Sequence, residues 1–143
     1  MNKDFRSVCF ESLFESDLDI NEFILVKNDL NVNQTLRAEQ LLKQITNNLN
    51  EIVLLIKKYS QNWSFERIAK TEKTSLILGI GEIQLNLTPS KVIVSEWTKL
   101  TDKHSTSNGA KFVNAILDNI SKNEFKNWNK RYKECQRWVY SFF

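Results

Sequence analysis

Lys111-Phe112-Val113-Asn114-Ala115-Ile116-Leu117-Asp118 sets its apolar residues on a helical stripe, while Lys111, Asn114 and Asp118 do not fit a simple core. Polar groups placed among buried ones need partners, either inside the fold or in a ligand. Upstream, Thr88-Pro89 combines a capping residue with a proline at the first helical position, where its missing N–H does no harm. This predicts a helix from Ser90 to Lys103, a loop over Ser105 to Asn108, and a helix from Gly109 to Ile120.

The same period runs through the rest of the chain. Phe5, Cys9 and Leu13, with Phe10 and Phe14, predict a first helix ending near Asp17, and Ile20, Phe23, Ile24 and Val26 a short second one. Leu42, Ile45, Leu49, Ile52, Val53, Ile56 and Tyr59 predict the longest helix, about Gln34 to Tyr59, as a central strut. Ser64 is a candidate cap for a short helix at Phe65, and Thr71 a second cap. The next helix holds Leu76, Ile77, Ile80, Ile83 and Leu87. Gly79 and Gly81 inside it each cost on the order of 1 kcal/mol relative to alanine, which predicts close helix packing there.

Composition agrees. With 143 residues, 41% of them apolar, the chain can bury a core without disulfides or metal. Three glycines and one proline leave little for the turns of a β-sandwich, so the expected class is all-α. Cys9 and Cys135 lie far apart and outside any ligand-spaced cluster, which predicts neither a zinc site nor a disulfide framework and suits a reducing cytoplasm. No stretch reaches the roughly 18 uncharged apolar residues of a membrane span, so a soluble, cytoplasmic protein without membrane contact is expected.

Catalysis is poorly served. His104 is the only histidine, no Cys-His or Ser-His pairing accompanies it, and a solvated histidine at a helix end is the simpler reading. Gly79-Ile80-Gly81 lacks the third glycine and the preceding strand of a nucleotide-binding turn. A protein that is not an enzyme, without cofactor or metal, is expected.

Charge is uneven although the net value is only +3. Met1 to Glu22 holds two basic and six acidic residues; Lys122 to Phe143 holds six basic and two acidic. The latter segment interleaves cations with aromatics, so Lys126, Trp128, Lys130, Arg131 and Arg137 are candidate RNA contacts. The alternative is that Trp128, Tyr132 and Cys135 dock on the bundle and the cations form its solvated face.

From Asn62-Trp63-Ser64-Phe65-Glu66-Arg67-Ile68, through Glu72-Lys73, Leu76 with Glu82, Pro89, Lys91-Val92, Glu96 and Leu100, to Lys111-Phe112-Val113-Asn114 and Leu117-Asp118, order and spacing resemble the NusB family of bacterial antitermination factors. The resemblance extends from Arg6 to about Lys122, with Arg6, Leu13 and Phe14 carrying it at the N-terminal end. It implies two packed three-helix subdomains over residues 1–122, to which residues 123–143 add a C-terminal helix. It also implies binding of boxA-like single-stranded RNA in ribosomal RNA leaders, together with a small-subunit ribosomal protein (NusE) and transcribing RNA polymerase. By position, Lys3, Arg6 and the region Asn108, Lys111, Phe112 and Asn114 would face RNA, and Phe14 and Glu82 the protein partner.

The chemistry of these residue types suits the role. Lys111 can meet a phosphate near a helix start, and Asn114 can both donate to and accept from a base edge. Against this, Asn114 can equally tie two helices together, and Phe112 and Val113 can be core. The chain also departs from the family pattern. Only Lys3 and Arg6, with Asp4 between them, stand where arginines cluster, Gly81 replaces a common tyrosine, and Gly109-Ala110 a more polar pair. Asn108 stands where acidic residues are frequent, which favours RNA. Two other readings stay open: an RNA-binding module of ribosomal RNA processing or assembly, and a helical scaffold that binds protein only.

Overall fold

A computed structural model describes residues 4–19, 30–61 and 63–125. The described chain is all-α: α1 (Phe5–Glu15), α2 (Val32–Tyr59), a 3-10 turn (Phe65–Arg67), α3 (Lys70–Leu85), α4 (Ser90–His104) and α5 (Ser107–Glu124). α1 and α2 form the N-terminal part, and α3, α4 and α5 the C-terminal part. The expected helix over Ile20 to Val26 lies outside the described residues. No described helix is long and apolar enough to cross a membrane.

The centre of the bundle is α3, not the long α2 expected as the strut. α3 packs against α1, α2, α4 and α5, and every residue from Thr74 to Ile83 is buried. A helix surrounded on all sides loses its amphipathic pattern, which is why periodicity alone does not single it out. α2 is the amphipathic neighbour, burying Ala38, Leu41, Leu42, Ile45, Ile52 and Ile56 on one face. It breaks at Asn48 (φ −130°, ψ 20°), whose side-chain amide donates to the Gln44 carbonyl at 3.0 Å. Side-chain competition for backbone groups of this kind bends helices.

Gly79 and Gly81 provide the close packing expected of them. A Cβ on Gly79 would meet Leu117 Cδ1 and Cδ2 at 2.9 and 3.0 Å, and one on Gly81 would meet Ile45 Cγ2 at 2.5 Å. α5 and α2 therefore approach opposite stretches of α3 over bare backbone. Buried polar groups add specific ties. Ser75 and Thr101 share a hydrogen bond between α3 and α4 at 2.8 Å, and the Phe5 N–H donates to Gln34 Oε1 at 2.8 Å, joining α1 to α2.

The ends of the helices correct several sequence-based expectations. Asp4 caps α1 by accepting from the Ser7 N–H at 2.9 Å. Ser64 makes no side-chain cap, and its carbonyl instead accepts from the Arg67 N–H. Thr71 lies inside α3, which begins after Ala69. Pro89 itself takes the capping position of α4, freeing the Thr88 hydroxyl to accept from Arg37 Nη2 at 2.7 Å. α5 starts two residues earlier than expected because Thr106 accepts from the Gly109 N–H at 3.0 Å. α3 ends on Asn86 in the left-handed conformation (φ 57°, ψ 33°), which asparagine tolerates better than most residues.

The two glycines make separable predictions. Alanine gains up to about 1 kcal/mol of helix propensity at either site. Ile45 is fully buried and stiff at its branched Cβ, whereas Leu117 presents the mobile end of its side chain. Gly81→Ala should therefore destabilise by about 1–2 kcal/mol, and Gly79→Ala by less than about 0.5 kcal/mol, in urea unfolding.

Candidate nucleic-acid interface

Arg6, expected to face RNA, is turned into the protein. Its guanidinium holds Glu82 in two hydrogen bonds, Nε to Oε1 at 2.8 Å and Nη2 to Oε2 at 2.7 Å. Glu82, expected to face a protein partner, is equally buried. It also accepts from the indole N–H of Trp97 at 2.9 Å, and Arg37 Nη2 stands 4.0 Å from it. Both guanidinium groups lie over the Phe5 ring, at 4.6 and 4.3 Å. Burial works to lower the pKa of Arg6, but the hydrogen bond and charge of Glu82, with Asp4 and Glu96, outweigh it and raise the value. A buried, bidentate pair offers no charge to a ligand, so these two residues are structural here.

Other expected residues do share a surface. α5 sends Asn108, Phe112, Ala115, Asn119 and Asn123 along one flank, at the three- and four-residue steps that place residues on a single helix face. Opposite stands the segment joining α2 to α3. Together they enclose two contiguous hollows with a common wall of Trp63 and Phe112. One, of about 390 Å³, is lined also by Arg67, Ile68, Ala69, Glu72, Asn108 and Gly109. The other, of about 490 Å³, is lined also by Tyr59, Ser60, Gln61, Ala115, Ile116, Asn119 and Asn123. The result is one groove running beside α5.

Trp63 is 56% exposed, an unusual setting for so large an apolar side chain. Phe112 is half-buried and rests on the core, combining the core and surface readings of that residue. Lys111 is exposed and points outward from the groove's edge, about 100° around the helix from Phe112. Asn114 is exposed about 200° from Phe112, on the far flank, so it neither lines the groove nor ties helices together through any described bond. The expected set is thus divided: Asn108 and Phe112 line the groove, Lys111 borders it, and Asn114 lies away from it.

Glu72 forms part of the floor of the first hollow, a role its sequence context does not disclose. It is 6% exposed; Oε1 accepts from the Ser105 hydroxyl at 2.7 Å, and Oε2 has no hydrogen-bond partner among the described residues. A Cβ on Gly109 would overlap this carboxylate, so a larger residue there would have to displace the end of the Glu72 side chain. Trp63 and Arg67 join the site without having been expected there. Their one signal in the sequence is a tryptophan immediately before a turn, where a buried role is hard to satisfy.

Tyr59, which lines the second hollow, donates its hydroxyl to Glu124, which also accepts from Lys58, each at 2.7 Å. Those two hydrogen bonds, Lys58 first, hold its carboxyl below the ordinary value. Phe14 is half-buried on the other side of the molecule's α1–α3 contact, stacked on Phe10 at 5.8 Å and covered by Lys70 Nζ at 4.1 Å from its ring centre. His104 is exposed but stacks on Phe10 at 4.8 Å, more than a solvated helix end. Cys9 is fully buried, and burial, with the charges of Glu82 and Asp4, pushes its thiol far above the ordinary range. Among the described residues no group of histidine, cysteine and carboxylate side chains is arranged to hold a metal. Lys3, Lys126, Trp128, Lys130, Arg131 and Arg137 lie outside the described residues.

The family model described as the NusB family matches residues 5–122. The chain belongs to the NusB family. Proteins named transcription antitermination protein NusB are similar to it. Those of Helicobacter pylori (strain Shi470) and Helicobacter acinonychis (strain Sheeba) are each 34% identical over 113 residues, covering 79% of this chain and 82% of theirs. That of Methylacidiphilum infernorum (isolate V4) is 41% identical over 86 residues, covering 59% of this chain and 60% of its own. No solved structure matches the chain at a significant level. The family match stops at residue 122, while α5 continues to Glu124 and Phe125 is buried against the core.

The inward ion pair carries a prediction of its own. Removing one partner leaves the other charged and buried, which typically costs about 3–5 kcal/mol. Glu82→Ala and Arg6→Ala should each lower unfolding free energy by about that amount, and the double variant by much less than their sum, as a double-mutant cycle in urea would show.

Proposed function

We propose that the protein is a transcription antitermination factor that binds boxA-like single-stranded RNA of ribosomal RNA leaders along the α5 groove. It would act with the small-subunit ribosomal protein NusE and transcribing RNA polymerase. The observation that carries this reading is the pairing of Trp63 and Phe112 as the common wall of both hollows. Unpaired bases are held by stacking on planar side chains and by hydrogen bonds to their edges, and both are available in this groove. Asn108, Asn119 and Asn123 supply amides that donate and accept along its length.

The electrostatics favour bases inside and phosphates outside. Glu72 puts an acceptor at the floor beside the start of α5, where it repels phosphate and welcomes a base amino group. Lys111 and Arg67 stand on the rims, where a backbone would pass. Asn108 spares the groove a second carboxylate. Lys3, Asn114, Lys126, Trp128, Lys130, Arg131 and Arg137 remain proposed RNA contacts, and the surface around Phe14 a proposed contact for the ribosomal protein.

Binding of a boxA-like RNA and a scrambled control, with and without the ribosomal protein, across a salt series tests the reading. Selective binding strengthened by the protein partner is expected. Equal affinity for both RNAs, or none with intact partner binding, would leave a protein scaffold. Stacking contributes about 1–3 kcal/mol per base, so Trp63→Ala and Phe112→Ala should each weaken RNA binding by about tenfold or more. Asn108→Asp should weaken it several-fold, an effect that fades as salt screens the added charge.

A further inference from the structure

The turn between Trp63 and Arg67 has a second side. Phe65, half-buried, carries Lys73 Nζ at 4.6 Å and Lys57 Nζ at 5.8 Å from its ring centre. Neither lysine has a carboxylate partner among the described ion pairs, in contrast to Lys58, which is paired with Glu124, and Lys70, paired with Asp17. Arg67 lines the groove on one side of the turn and is likewise without a carboxylate partner among the described ion pairs. The only acid on the turn itself is the exposed Glu66.

We propose that Lys57, Phe65 and Lys73 form a ridge that holds the phosphates of single-stranded RNA where it leaves the groove past Arg67. This rests on the groove being the RNA site and extends its footprint across the turn. The turn is three residues long, roughly 6 Å at the 3-10 rise, so the ridge adjoins the groove's rim directly. An ammonium resting on a ring face keeps its charge while its side chain is already held, so less freedom is lost when a phosphate arrives. Glu72 on the groove floor turns phosphates away from the interior, which directs the backbone toward such a rim. A ridge of this kind tracks backbone without reading sequence.

The test compares two single strands: one of about six nucleotides that fills the groove, and one of about twelve that contains it and extends at either end. The full chain is compared with the double variant Lys57→Gln, Lys73→Gln, whose fold is checked by circular dichroism and urea unfolding. The variant should bind the long strand about tenfold more weakly at about 50 mM salt and the short strand unchanged, and losing two phosphate contacts should reduce the long strand's salt slope by about 1.4. An unchanged affinity and slope for the long strand would overturn the ridge, as would equal weakening of both strands. If the unaltered protein bound neither strand, the groove reading would itself have failed, and the ridge with it.

Discussion

The pairing of Arg6 with Glu82 sits where the two parts of the molecule meet. α1 supplies the guanidinium, the buried α3 supplies the carboxylate, and α4 supplies the Trp97 indole that completes it. An unpaired charge in that position would be costly, so each partner makes the other obligatory. Arg37 extends the network to α2 and, through Thr88, to the entry of α4. Few groups thus set the relation between α1, α2 and the C-terminal helices.

Around this point α3 is enclosed on every side. Its neighbours come close because glycine removes the side chain at two positions, one against α5 and one against α2. The placement of α5 matters most for the site. Val113, Leu117 and Ile120 turn to the core, which fixes the rotation of the helix and leaves Asn108, Phe112 and Asn119 on the flank that walls the groove. Packing inside α5 therefore decides which residues a ligand can reach. Gly109 extends the same logic to the helix start, where absence of a side chain gives room to the Glu72 carboxylate.

Much of the helical framework is legible in the sequence. α2, α4 and α5 keep closely to the apolar period, and proline and threonine signals locate the approach to α4. α3 is legible as a helix but not as the centre, because a helix buried all round carries no distinctive stripe. For the site, Asn108, Phe112 and Lys111 stand at or beside the groove, as their positions in the chain suggest. Arg6 and Glu82 are not separable by sequence from surface charges, since a residue's charge does not disclose whether its partner is another residue or a ligand. Asn114 is close to Phe112 along the chain, while helical rotation sends it to another flank. Glu72, Trp63 and Arg67 belong to the site through tertiary proximity to α5, which no local pattern encodes.

In the proposed function, RNA lies between the Trp63–Arg67 turn and the start of α5. Photo-crosslinking a boxA-like strand carrying a reactive base to the full chain, followed by mass spectrometry of the crosslinked peptides, tests it most directly. Crosslinks concentrated on Trp63 and on the stretch from Asn108 to Phe112 are the predicted result. Crosslinks confined to the outer face of α4, or to the exposed face of α2, would contradict it.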